Sequence, residues 1–219
     1  MKSTALTSLI RKELTLEWRQ KFAFSGVLLY LVSTVFVCYL AFEGVVAANT
    51  WNALFWIILL FAAINATLKG FLQEGAGRQL YYYTLASPRS VILSKIIYNS
   101  LLMLVLSLVG LVVFMIFMGN PVVSAGLFLL NLLPGVVALS AILSMVSAIA
   151  SRARNNFTLT AVLSFPLVLP LMLVLMRNTS ATLAGTTLQA QLPGLLVMVL
   201  LLAITLVLSV ILFPYIWKE

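Results

Sequence analysis

The chain has 219 residues, 63% of them hydrophobic and 8% charged, with a formal net charge of +8. Soluble proteins run at about 45–50% apolar and about 25% charged, so this composition excludes a soluble fold and places the chain in a bilayer. Its charged residues are 13 Lys and Arg and 5 Glu, with no His and no Asp, which excludes Ser-His-Asp and Cys-His nucleophile systems, His metal sites, His-ligated haem iron and Asp-based proton relays.

Residues 1–21 are too charged to span, yet Leu6, Ile10, Leu14 and Trp18 recur every four residues, which predicts a helix lying along the membrane surface. Arg11, Lys12, Thr15 and Arg19 take the opposite side, suited to anionic lipid headgroups. Glu13 and Glu17 project among the apolar positions, and two readings are open: Glu17 pairs with Lys21 one turn on, or both glutamates face protein and meet cations of another segment. The segment lacks the short apolar core and the cleavage site of a signal peptide and reads as mature protein.

A transmembrane helix needs about 20 apolar residues, and six such spans are expected, at about 22–42, 51–68, 96–118, 121–151, 157–176 and 193–217. Cys38, in the first, has no disulfide partner within the chain and reads as a small buried hydrophobe. Between spans three and four, Gly119-Asn120-Pro121 reads as a tight turn, with Asn120 capping the next helix and Pro121 at its first position. Span four is longer than the hydrocarbon core needs, so a kink or break is expected at Pro134-Gly135. Span five contains Pro166 and Pro170, and a polar extracytoplasmic stretch follows at 177–192. No charge falls inside any span; Asn65, Asn99 and Asn131 are expected as interhelical hydrogen-bonding groups or helix-end residues.

The longest loop, 69–95, links spans two and three. Gly75 and Gly77 interrupt any helix leaving the membrane. The short aromatic segment RQLYYYTLA follows, and then Ser87-Pro88 as the cap and first-turn proline of span three. Such a segment either inserts into a partner or forms an interfacial aromatic belt.

Counting cations on alternate sides of the spans sets the orientation. With the N-terminus in the cytosol, that side holds Lys2, Arg11, Lys12, Arg19, Lys21, Lys69, Arg78, Arg89, Lys95, Arg152, Arg154 and Lys218, leaving Arg177 alone outside. Both termini are therefore expected in the cytosol. Arg177 either snorkels to the headgroups or meets an anionic group outside the membrane. The sequence has no G-x-x-x-x-G-K-[ST], so a driving force from nucleotide has to come from another subunit.

The segments RKELTLEWR at Arg11 to Arg19, FLQEG at Phe71 to Gly75, RQL at Arg78 to Leu80, Lys95 at the mouth of span three, and FPLVLPLML at Phe165 to Leu173 together resemble the ABC-2 type exporter permeases. Within them, order and spacing are similar to the CcmB family, the haem exporter permeases of cytochrome c maturation, over nearly the whole chain. The chain departs from the family where an acidic residue commonly precedes the coupling motif and a leucine- and proline-rich segment follows it. Here those places hold Gly70-Phe71-Leu72-Gln73 and YYYTLASP.

The resemblance implies an all-α permease of one transmembrane domain in the bacterial inner membrane, non-catalytic and without a cofactor of its own. It implies a homodimer working with a P-loop ATPase subunit that uses the ATP, a haem-handling membrane subunit, a small accessory subunit and a periplasmic haem chaperone, with membrane lipids around it and no nucleic acid. Gly75 to Ala86 would be the coupling helix, with Glu74, Gly75, Arg78, Gln79, Leu80, Tyr81 and Leu85 meeting the ATPase. Haem would be the substrate, or the loaded chaperone would be released; the lack of His favours release. The alternatives are an ABC-2 permease for a lipid, drug or polysaccharide, and a non-transporting assembly factor that docks a haem chaperone on the stretch 177–191.

Overall fold

The structure, a computed structural model, describes residues 2–20, 22–72, 87–150 and 156–218. Lipid offers the backbone no hydrogen-bond partner, so apolar segments close their N–H and C=O groups within helices. Seven helices account for nearly all of the described residues: α1 (Lys2–Gln20), α2 (Phe22–Phe42), α3 (Ala48–Leu72), α4 (Pro88–Met118), α5 (Ala125–Ala150), α6 (Asn156–Leu183) and α7 (Leu188–Lys218). The six from α2 to α7 are long and apolar enough to cross a membrane.

Every helix after α2 has limits other than those of its expected span, and three places matter most. The apolar run of span three was placed from Ile96, and its helix α4 starts at Pro88 on the expected Ser87-Pro88 cap, with Ser87 Oγ accepting from Ser90 N at 3.3 Å. The cap and the preset φ of proline begin the helix two turns before Ile96, which brings Arg89 and Lys95 into it. Asn120 does not cap α5. Its Oδ1 accepts from Val122 N at 3.0 Å, a local turn that competes with helix, and α5 begins at Ala125. It then continues through Pro134 without a break, 26 residues long.

The third difference has the largest consequence. The polar stretch 177–192 is not a loop. Its first seven residues are the last turns of α6, only 184–187 form the connection, and Pro193 lies inside α7. Gly185 at φ +75° provides the left-handed residue on which this hairpin turns.

The three short connections, 43–47, 119–124 and 184–187, meet at one end of the bundle. Trp51 Nε1 donates to Gly119 O at 3.0 Å, Val45 lies against Gly119, and Val123 approaches Gly185. The start of α4 lies at the opposite end, and α1 packs along it. Helix α5 is the centre, in contact with α3, α4, α6 and α7, and most of it is buried; α2 and α7 leave most of their surface to the surroundings. Below the connections the core is aromatic: Trp51 stacks on Phe55 at 5.2 Å between ring centroids and meets Phe114 edge-on at 5.3 Å, with Phe128 closing the cluster.

Candidate functional site

A polar side chain inside an apolar bundle costs free energy unless it is hydrogen-bonded, so the buried polar residues mark where the chain departs from mere lipid solubility. Two groups of them stand out, one at the connection end and one at the end where α4 begins.

At the connection end, Asn52, Trp56, Asn131, Asn178, Thr179, Thr182 and Gln191 are all buried. Asn131 Nδ2 donates to Gln191 Oε1 at 2.6 Å and to Leu127 O at 2.9 Å, and Asn131 Oδ1 accepts from Asn178 Nδ2 at 3.0 Å. Thr182 Oγ1 is 3.1 Å from Gln191 Oε1, and Gln191 Nε2 donates to Thr186 Oγ1 at 3.1 Å. Beside this ring, Trp56 Nε1 donates to Thr179 Oγ1 at 2.9 Å. That hydroxyl also lies 2.6 Å from Asn52 Oδ1, and Asn52 Nδ2 donates to Met176 O at 2.8 Å. The network ties α3, α5, α6 and α7 together at one level. Gly194 makes the approach of α7 possible, because a Cβ there would overlap the Asn178 carboxamide.

These groups use their hydrogen-bonding capacity on one another and none of them titrates near neutral pH. The arrangement therefore holds four helices in one register and closes that end of the bundle; it offers no acid, base or nucleophile. Trp56→Phe removes one donor and leaves the other Thr179 contacts in place. Its expected cost is about 1 kcal/mol, a fall of about 2–4 °C in unfolding midpoint, read by thermal unfolding in detergent.

At the other end, Lys95 is 5% exposed and its Nζ lies 3.8 Å from Glu13 Oε1 of α1. Asn99 Nδ2 donates to Ser144 Oγ at 2.9 Å across α4 and α5. Around that bond the hydroxyls of Ser100, Ser140 and Ser147 are buried and make no hydrogen bond. Among the described residues no group of three His, Cys, Asp or Glu could hold a metal ion.

The residues expected to meet a partner ATPase, Glu74, Gly75, Arg78, Gln79, Leu80, Tyr81 and Leu85, lie outside the described residues. Glu17 and Trp18 fall on α1, but their side chains are likewise outside the description. On α1, Leu14 is exposed, whereas Leu9 packs on the Val91 and Ile92 cluster and Glu13 turns towards α4. Pro166 and Pro170 stand one turn apart on an exposed face of α6, while Val168, Leu171 and Leu175 face the core. Arg177 is exposed near the connection end of α6. Asn99 and Asn131 do bond between helices; Asn65 instead donates back to Phe61 O within α3 at 2.9 Å.

Asn52, Trp56, Thr182 and Gln191 were not singled out from sequence. The available signal was the spacing of Asn178 and Thr182, four apart on one helix face and continuous with the apolar run before them. The model of the family described as CcmB protein matches residues 4–217. No curated protein matches the chain.

Proposed function

The chain belongs to the CcmB family, the membrane permease component of the haem export system in cytochrome c maturation, and from that premise we propose that it is the permease subunit of an ABC-type complex. The single observation that carries the reading is the family match over residues 4–217. The lack of a P-loop and of His and Asp supports the same division of labour: ATP is bound and hydrolysed by a separate ATPase subunit, and this chain converts that subunit's motion into a change across the bilayer.

In this reading the chain is a homodimer in a bacterial inner membrane, with both termini in the cytosol. The end where α4 begins is cytosolic, because 12 of the 13 cations lie on that side of the spans; the connection end faces the periplasm. Residues 75–86 form the coupling segment on the ATPase, with Glu74, Arg78, Gln79, Leu80, Tyr81 and Leu85 in contact. A haem-handling membrane subunit and a periplasmic haem chaperone complete the assembly. The output is release of the haem-loaded chaperone rather than axial ligation of haem by this chain, which has no His to ligate it. Arg177, exposed on α6, suits an anionic group on the chaperone or a haem propionate.

Affinity purification of the full chain from its own membranes tests the assignment. The wild type is expected to carry a P-loop ATPase with it. Leu80→Asp and Leu85→Asp, which each put a charge in place of a leucine of the coupling segment, are expected to reduce that ATPase at least tenfold at unchanged chain abundance in the membrane. Full retention in both variants removes the coupling assignment. Normal haem-stained c-type cytochromes in a deletion strain would transfer the permease to another substrate.

A further inference from the structure

Helix α4 is held differently on its two sides. On one side, Glu13 of α1 reaches it. The Glu13 carboxylate lies 3.8 Å from Lys95 Nζ and 2.9 Å from Lys12 Nζ, and the Lys95 and Glu13 side chains are 6% and 13% exposed. One turn before Glu13, Leu9 packs on the cluster of Val91, Ile92 and Ile96, so α1 follows α4 over its first two turns.

On the other side, the start of α4 lies against small residues of α5. Ala141 and Ala148 lie in the same cluster as Ile92, with the Asn99 to Ser144 bond between them and the hydroxyls of Ser140 and Ser147 buried without a hydrogen bond. The Asn99 to Ser144 bond is a directional contact between the two helices at this end.

A buried ion pair is a poor device for stability, since desolvation offsets most of its attraction and apolar residues of similar volume do as well; its best-attested use is to fix a register. Helix α4 also begins immediately after residues 73–86, behind a Ser87 cap and Pro88 that hold its first turn. We propose that Glu13 and Lys95 are positioning residues that pin α1 to α4. A displacement of the start of α4 then carries α1 with it. The proposal rests on the permease reading above and assigns the route by which the motion of the ATPase enters the membrane.

The test uses the whole complex in lipid nanodiscs, with Glu13→Lys, Lys95→Glu, the two combined as a charge swap, and the conservative Glu13→Gln. Spin labels at Thr15→Cys and Leu101→Cys, both exposed positions, in a Cys38→Ala background report the α1 to α4 distance. Haem-loaded chaperone released per ATP hydrolysed reports transmission.

Each single reversal is expected to broaden the distance distribution and to lower release per ATP at least tenfold, with ATP hydrolysis kept within twofold. Glu13→Gln is expected to lose at least threefold, and the swap to restore distance and release together. Reversals that leave release per ATP unchanged overturn the pin, as does a swap that restores the distance but not the release. A wild-type chain that binds no ATPase removes the permease reading and the pin with it; an active wild-type complex with indifferent variants removes the pin alone.

Discussion

Replacing Asn131 with leucine lowers the midpoint of thermal unfolding in detergent by about 4–12 °C. Leucine has the branching and heavy-atom count of asparagine, so no cavity opens and the effect comes chiefly from polar groups left without partners. Asn131 holds Gln191 Oε1 at 2.6 Å and Asn178 Nδ2 at 3.0 Å, all at 0–6% exposure. An orphaned buried group costs about 1–3 kcal/mol. Gln191 Oε1 keeps Thr182, and Asn178 Nδ2 keeps the Gln191 carbonyl at 3.4 Å, which holds each loss near the lower limit. Hydrogen bonds between transmembrane helices average about 0.6 kcal/mol and reach about 1.7. The expected total is therefore about 2–3 kcal/mol, and each kcal/mol moves the midpoint of a chain this size by about 2–4 °C. A variant within about 2 °C of wild type would falsify the claim that the network contributes net stability.

Gly194→Val is expected to cost more than Asn131→Leu, about 3 kcal/mol or above. A β-carbon at position 194 overlaps Oδ1, Nδ2 and Cγ of Asn178. That carboxamide is bonded to Asn131 and cannot rotate away without giving up the bond, so α7 must move off α6, adding overpacking strain of about 1–3 kcal/mol. Gly135 provides the contrast. The nearest atoms to a β-carbon there belong to the Leu175 side chain, whose end can rotate, so Gly135→Ala is expected to be the milder change. Combining Gly194→Val with Asn131→Leu should fall short of the summed losses by about 1 kcal/mol, because the first change already breaks bonds that the second removes. Strict additivity in the unfolding midpoints would show that Gly194 acts somewhere other than on this network.

Both variants address a feature that the order of residues conceals. RNTSATLAGTTLQAQ has the same polarity whether its side chains meet water or each other, and read locally it is an extracytoplasmic stretch. In the fold, Asn178 lies 47 residues from its partner Asn131, and Asn131 lies 60 from Gln191. Only when α5, α6 and α7 are side by side do these amides find each other, and the stretch then becomes helix ends with buried faces and a four-residue turn. Glu13 is a similar case. Helical spacing puts it among apolar positions and so raises the possibility of a protein partner, but its approach to Lys95 depends on α1 lying along α4.

Six membrane-spanning helices, the cap at Ser87-Pro88 and the lack of His and Asp are properties of local composition. They follow from residue type and hydropathy because a bilayer leaves an apolar backbone segment almost no alternative to helix. What tertiary structure alone decided is which polar groups face inward: the closed hydrogen-bonded end formed by α3, α5, α6 and α7, and the ion pair that joins α1 to α4. The physical reason is that lipid specifies the helices without specifying their neighbours. Between helices the solvent is as apolar as the side chains, so a few polar contacts and close approaches at glycine set the arrangement, and these join residues far apart in the chain.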